Sequence, residues 1–242
     1  MGFFKRCREA RRPFCTALVP AAGSSTRMGG DVGKLMLPLE GIPVLVRTLQ
    51  ALDQASSIDA IVIAAREEDI VPFSQLCRTY GITKPVKVVR GGADRAASVL
   101  CAALEADPQA QLLAVHDGAR PLVTPELINT VVERAARCNA AAPAVPVKDT
   151  IKVKRDGVIV ETPDRSTLAA VQTPQVFDAS LLKAALQSAI DAGAQITDDC
   201  SAVERLGKVV YLTDGDETNL KITTPIDLLL AGAILRERWG NA

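Results

Sequence analysis

Short apolar runs alternate with amphipathic stretches along almost the whole chain, and this alternation most limits how it can fold. Candidate strands are Ala17–Pro20, Ala60–Ala65, Val86–Arg90, Leu112–His116, Ala141–Val147 and Val209–Leu212. Candidate helices are Val44–Ala55, Glu67–Tyr80, Arg95–Ala106, Pro125–Asn139, Ala179–Ala192 and Pro225–Glu237. Strands separated by helices pair side by side in parallel, so the pattern predicts an α/β fold: a mostly parallel sheet with helices on both faces. Thr124 and Thr224 stand just before Pro125 and Pro225, which suits a cap followed by a first-turn proline. Such sheets bind ligands beyond the carboxyl ends of their strands. One segment breaks the alternation. Thr150–Val160 reads TIKVKRDGVIV, and Asp156-Gly157 between alternating apolar residues is a hairpin signal. A ribbon leaving a parallel sheet projects from it and presents an edge that a second subunit would cover.

The chain has 242 residues, with 48% hydrophobic and 23% charged, an ordinary balance for a globular protein. Its 28 basic and 28 acidic residues cancel, and aromatics make up 3%. Neither bulk charge nor stacking platforms therefore point to nucleic acid. Cysteines at 7, 15, 77, 101, 138 and 200 form no C-x-x-C pair, so reduced thiols are expected rather than a zinc site. His116 is the only histidine, which excludes a multi-histidine metal centre. No apolar run is long enough to span a membrane. Residues 1–16 read as a basic, loosely ordered extension without a secretory apolar core. The expectation is a cytoplasmic protein, with organelle targeting by this extension as the alternative.

Three clusters follow strands and carry charge. The first, PAAGSSTRMGG at 20–30, has a bare backbone at Ala21, Ala22 and Gly23, then Arg27, with Lys34 shortly after. Exposed N–H groups and two cations suit a triphosphate. Its spacing matches neither a Walker A loop nor a G-x-G-x-x-G fingerprint, which sets a nicotinamide dehydrogenase aside. The second, GGADRAASV at 91–99, places Asp94 to cap a helix whose N-terminus offers free N–H groups to an anion. Arg95 and Ser98 share one face of that helix. In the third, HDGARP at 116–121, an apolar strand runs into Asp117. That carboxylate is placed either to hold Mg²⁺ or to pair with Arg120. Further polar segments hold Asp149-Thr150, Asp164-Arg165, QTPQ at 172–175, ITDD at 196–199 and NLKIT at 219–223. Together they would suit a phosphorylated polyol.

With these clusters in order along the chain, it resembles the 2-C-methyl-D-erythritol 4-phosphate cytidylyltransferase family. The matching pieces are PAAGSSTRMG, GGADRAASV, HDGARP, VKDTIK, PDR, QTPQVF, ITDD and NLKITTP. The resemblance implies a Rossmann-like nucleotidyltransferase fold over about 17–238, with a projecting β-hairpin arm at about 147–168. It implies attack of the methylerythritol phosphate on the α-phosphorus of CTP. Arg27, Lys34, Arg165 and Lys221 would be catalytic. Ala21, Ala22, Gly23, Gly92, Arg95 and Ser98 would line the CTP pocket. Thr150, Arg165, Thr173, Thr197, Lys221 and Thr223 would hold the second substrate, and Asp117 would bind Mg²⁺. The resemblance also implies a homodimer in which the arm, with Arg165, reaches the neighbouring site. Two departures stand out: Gly33 where the family often has Pro, and Ala93 where some members carry an acid. The alternatives are transfer to another polyol phosphate, such as ribitol 5-phosphate, and a nucleotide-binding module without catalysis.

Overall fold

A computed structural model of the chain describes residues 12–23 and 33–240. Arg27 and most of the basic extension lie outside the described residues. In chain order the elements are β1 (Cys15–Pro20), β2 (Pro38–Leu39), β3 (Ile42–Pro43), α1 (Val44–Gln54), β4 (Ala60–Ala65), α2 (Ile70–Thr79), β5 (Val86–Arg90), α3 (Arg95–Leu104), β6 (Leu112–Val115), α4 (Pro125–Cys138), β7 (Ala140–Pro146), β8 (Val153–Arg155), β9 (Val158–Glu161), β10 (Ala169–Val171), β11 (Gln175–Asp178), α5 (Ala179–Asp191), α6 (Asp199–Arg205), β12 (Tyr211–Asp214) and α7 (Pro225–Gly240).

The main sheet runs β10-β7-β11-β6-β1-β4-β5, with β12 on the other edge of β7. Pairings β1 with β4, β1 with β6, β4 with β5 and β7 with β12 are parallel, while β11 and β10 run antiparallel to their neighbours. The expected mostly parallel sheet is therefore present. The period of two is visible in β1: Ala17 and Val19 join the core under α1, α2 and α4, and Leu18 joins the opposite core under α3, α5 and α6. Leu45, Leu49, Leu52, Phe73 and Ile128 fill the first layer; Val99, Leu182, Leu186 and Val203 fill the second. Each large side chain so buried contributes on the order of 2 kcal/mol. A third, smaller cluster seats α7 against Leu39, Leu122 and Ile222.

Chain order positions the site. From β1 the chain steps to β4 and β5 on one side, then crosses to β6 on the other. The direction reverses between β1 and β6, and ligands collect at such a reversal. Ala21–Gly23 and Asp117 emerge there.

The structure departs from the sequence reading in several places. β1 begins at Cys15, because Cys15 and Thr16 are buried and belong to the strand rather than to the extension. The last strand lies two residues later than the apolar run at Val209–Leu212. QTPQ at 172–175, read as a polar loop, runs into β11 at Gln175, a central strand between β6 and β7. The strand is four residues long and follows Pro174, so it has no periodicity to detect. α6, missed for the same shortness, starts with a capping box between Asp198 and Ser201. The hairpin is as expected. β8 and β9 pair only with each other, and Asp156 and Gly157 both have positive φ, as a primed two-residue turn requires.

Thr16 is fully buried, yet its hydroxyl has no hydrogen-bond partner. Replacing it by Val removes an unpaired polar group at nearly constant volume, so Thr16→Val is expected to gain about 1 kcal/mol. Urea unfolding checks this; a loss of stability would show that the hydroxyl is engaged.

Candidate active site

The cleft at the reversal has a volume of about 400 Å³ and is bounded by Ala21, Ala22, Gly23, Lys34, Gly92, Arg95, Ser98, Asp117 and Lys221, among others. Its walls are bare for a packing reason. A Cβ on Gly91 would lie 2.7 Å from the Ala22 Cβ, and one on Gly92 would lie 2.3 Å from the Ala97 Cβ. The loop after β5 thus lies directly against the loop after β1 and the first turn of α3, and only small residues permit that contact. Asp94 caps α3 by accepting from the Ala97 N–H at 2.8 Å. The Ser98 hydroxyl accepts from the Gly92 N–H at 3.1 Å and donates to the Asp94 carbonyl at 2.7 Å. Lys34 enters from a single 3₁₀ turn, Lys34–Met36.

Asp117 is the electrostatic centre. Arg95 donates to one of its oxygens at 2.9 Å, and Lys221 lies 2.9 Å from the other. Arg120 stands 3.5 Å away, so the Asp117–Arg120 pairing weighed from the sequence is real. Burial alone would push the carboxyl up, but Arg95, Lys221 and Arg120 outweigh it and hold Asp117 well below the usual carboxylate range. Lys221 reaches this point because its loop is pinned. The Arg120 guanidinium donates to the Asn219 carbonyl at 2.6 Å, the Asn219 amide donates to the Thr173 carbonyl at 3.0 Å, and the Ile222 N–H donates to the Ala119 carbonyl at 2.8 Å.

His116 and Thr173 form the underside of this floor. His116 Nε2 faces the Arg120 carbonyl at 3.4 Å. A carbonyl can only accept, so Nε2 carries the proton and Nδ1 accepts from the Thr173 hydroxyl, 3.0 Å away. Thr173 Oγ1 in turn accepts from the Asp117 N–H at 3.1 Å. The Thr173 hydroxyl is thus built into the strand end.

The structure brings Ala21, Ala22, Gly23, Lys34, Gly92, Arg95, Ser98, Asp117 and Lys221 together in one cleft. It places the other candidates elsewhere. Arg165 donates to the Lys148 carbonyl at 2.6 Å and lines a separate depression with Val147, Lys148 and Leu212. Thr150 and Thr197 are exposed outside the cleft lining. Thr223 donates through both its N–H and hydroxyl to Asp227, at 2.8 and 2.7 Å. The sequence reading gave no role to Asp199, which is fully buried and 2.8 Å from Arg95. Its signal was the second acid of ITDD, redundant as a cap once Asp198 fills that position.

The family profile described as 2-C-methyl-D-erythritol 4-phosphate cytidylyltransferase (IspD) matches residues 15–237. The chain belongs to this family. Among relatives of the family, the cytidylyltransferase of Bacillus thuringiensis is 44% identical over 91% of this chain and 97% of its own length. That of Synechococcus elongatus is 45% identical over 93% of this chain and 97% of its own length. The crystal structure of 4-diphosphocytidyl-2C-methyl-D-erythritol synthase from Anaerococcus prevotii superposes with a TM-score of 0.83 at 30% identity, covering 93% of this chain and 99% of that one. The family and the Rossmann-like α/β fold expected from the sequence are both borne out, and membership makes the chain a cytidylyltransferase.

Burial, offset only in part by Asp117, lowers the His116 imidazole to about 4. Its unfolded value is near 6.5, so from about pH 6.5 down to about 4 the unfolded chain binds more protons. Stability from this group is complete above that window and falls as pH drops through it, by up to about 1.4 kcal/mol per pH unit. Denaturant unfolding at pH 7 and pH 5.5, compared between wild type and a variant without the chain's one histidine, reads the effect. His116→Gln should lose this pH dependence; an unchanged slope would refute the assignment.

Proposed function

We propose that this chain transfers the cytidylyl group of CTP to 2-C-methyl-D-erythritol 4-phosphate in isoprenoid precursor synthesis, giving 4-diphosphocytidyl-2-C-methyl-D-erythritol and pyrophosphate. One observation carries the reading. In a chain matched to the family over 15–237, an ionised Asp117 ringed by Arg95, Arg120 and Lys221 sits at the strand reversal, with Lys34 on the same cleft.

A phosphate oxygen of the acceptor attacks the α-phosphorus, the bond to the bridging oxygen breaks, and pyrophosphate leaves with that electron pair. The protein's contribution is position and charge. Ala21–Gly23 and Gly92 let the backbone approach the nucleotide. Lys34, with Arg27, stabilises charge that builds on the α-phosphoryl oxygens and the leaving group. Lys221 is 41% exposed and held to Asp117 by a single contact, so it is free to turn toward a phosphate.

Magnesium fits Asp117. Among the described residues no three His, Cys, Asp or Glu side chains come together, so the protein alone does not enclose a metal. An ionised carboxylate on a cleft sized for phosphates matches how Mg²⁺ binds, through one or two carboxylates, water and substrate oxygens. Bound there, the ion would neutralise triphosphate charge. A homodimer is supported by the isolated hairpin, whose Val158, Ile159 and Val160 are exposed. Arg165, away from its own cleft, then serves the neighbour's. Among the described residues no helix is long and apolar enough to cross a membrane. Cys15, Cys77 and Cys200 are buried free thiols, in keeping with a cytoplasmic setting.

Pyrophosphate release with CTP and Mg²⁺ should occur with methylerythritol phosphate and not with ribitol 5-phosphate; the reverse would overturn the acceptor, and release with neither the reaction. Lys34→Ala should lower kcat by roughly 10²–10³ while CTP binding survives in part. A change confined to affinity would favour a non-catalytic binding module. Arg165 acting in trans makes a further prediction. Inactive Lys34→Ala and Arg165→Ala proteins, mixed so that subunits exchange, should regain activity, because one site in each heterodimer has both residues. No recovery despite confirmed exchange would place Arg165 in its own subunit's site.

A further inference from the structure

Asp199 is a carboxylate that the transfer reaction does not call for. It opens α6, but capping falls to its neighbour Asp198, whose side chain accepts from Ser201. Asp199 is fully buried, and one of its oxygens has no partner. Burying an anion this way is costly unless a specific charge repays it. The other oxygen accepts from Arg95 Nη2 at 2.8 Å, while Nη1 of the same guanidinium donates to Asp117 at 2.9 Å. Arg95, in the first turn of α3, therefore bridges two carboxylates on two other elements.

The anchor is itself fixed. The backbone N–H groups of Asp199 and Cys200 donate to Gln175 Oε1 at 3.0 and 3.1 Å, and the Gln175 amide donates to Asp198 at 2.7 Å. Gln175 opens β11 and pairs in register with Val115, two residues before Asp117. Asp199 and Asp117 are thus referred to the same pair of strands, with Arg95 between them.

The contrast with Lys221 defines the function. Lys221 holds Asp117 from one side and is half exposed, whereas Arg95 is gripped from both sides. We infer that Asp199 is a positioning residue for cytidylyl transfer: it locks Arg95 as a fixed counter-ion on one oxygen of Asp117, so that the other oxygen keeps its direction toward the cleft, where Lys221 meets it. Without Asp199 the guanidinium fork is able to close on both oxygens of Asp117 or swing to the triphosphate. Either movement removes the oriented oxygen. This rests on reading the cleft as the CTP site.

A double-mutant cycle with Asp199→Asn and Arg95→Gln tests it, read as CTP affinity by calorimetry with Mg²⁺ and as kcat/KM for transfer. Each single variant should lose about 10-fold in both readouts, and the double variant should be no worse than either, since Asp199 acts through Arg95. Independent, multiplying losses of about 100-fold would overturn the inference, as would an Asp199→Asn protein that matches wild type. Should Asp199→Asn fail to fold, Arg95→Lys decides. It keeps the charge but lacks the planar fork whose two nitrogens reach Asp117 and Asp199, so it should fall as far as Arg95→Gln; wild-type behaviour would sink the inference. Wild-type protein that binds CTP but does not transfer it to methylerythritol phosphate would refute the proposed reaction, with the calorimetric cycle still deciding the role of Asp199.

Discussion

One buried carboxylate organises this molecule's working end. Asp117 sits at the end of β6 with Arg95, Arg120 and Lys221 around it, and each cation arrives from a different segment. A lone charge at that depth would be prohibitive. The requirement to surround it dictates much else: the pinned loop that brings Lys221, the capped start of α3 that brings Arg95, and the broken strand β10–β11 that brings Thr173 beneath it. The cluster ties together parts of the chain about a hundred residues apart, as the Arg95–Asp199 and Arg120–Asn219 contacts show.

The cleft takes its charge from three-dimensional geometry rather than from any long sequence motif. Its walls come from Gly and Ala where loops pack closely, and its charge from the side chains that meet at Asp117. That division explains why no single segment of the sequence announces the site. PAAG, GGADR and HDGAR are each ordinary turns, and only the sheet's reversal between β1 and β6 makes them neighbours.

Much of the fold was legible because its elements are periodic. The strands at 60–65 and 86–90 were placed without error, and the Asp156-Gly157 turn announced its hairpin. What escaped was too short to show a period: β11 and α6 have four and seven residues. Their absence from the sequence reading hid Asp199, since an acid in a presumed loop gives no reason to be buried. Thr173 and Thr223 read as substrate hydroxyls, because a hydroxyl's partner is invisible until the chain is folded; here His116 and Asp227 take them. Arg165 shows a further limit. The structure sets it in a depression apart from the cleft, bound to the Lys148 carbonyl, a placement that its residue type did not foretell.

The sealing of His116 has a consequence for how acidity governs turnover. The chain's one imidazole lies under the strand end, kept neutral by its packing, and does not line the cleft. Asp117 is held ionised by its cations. In a transfer where the acceptor is itself a phosphate monoester, the nucleophile arrives already charged, since its second ionisation falls near pH 6. The enzyme then needs no proton relay of its own, and the acid limb of its rate profile becomes a titration of the substrate.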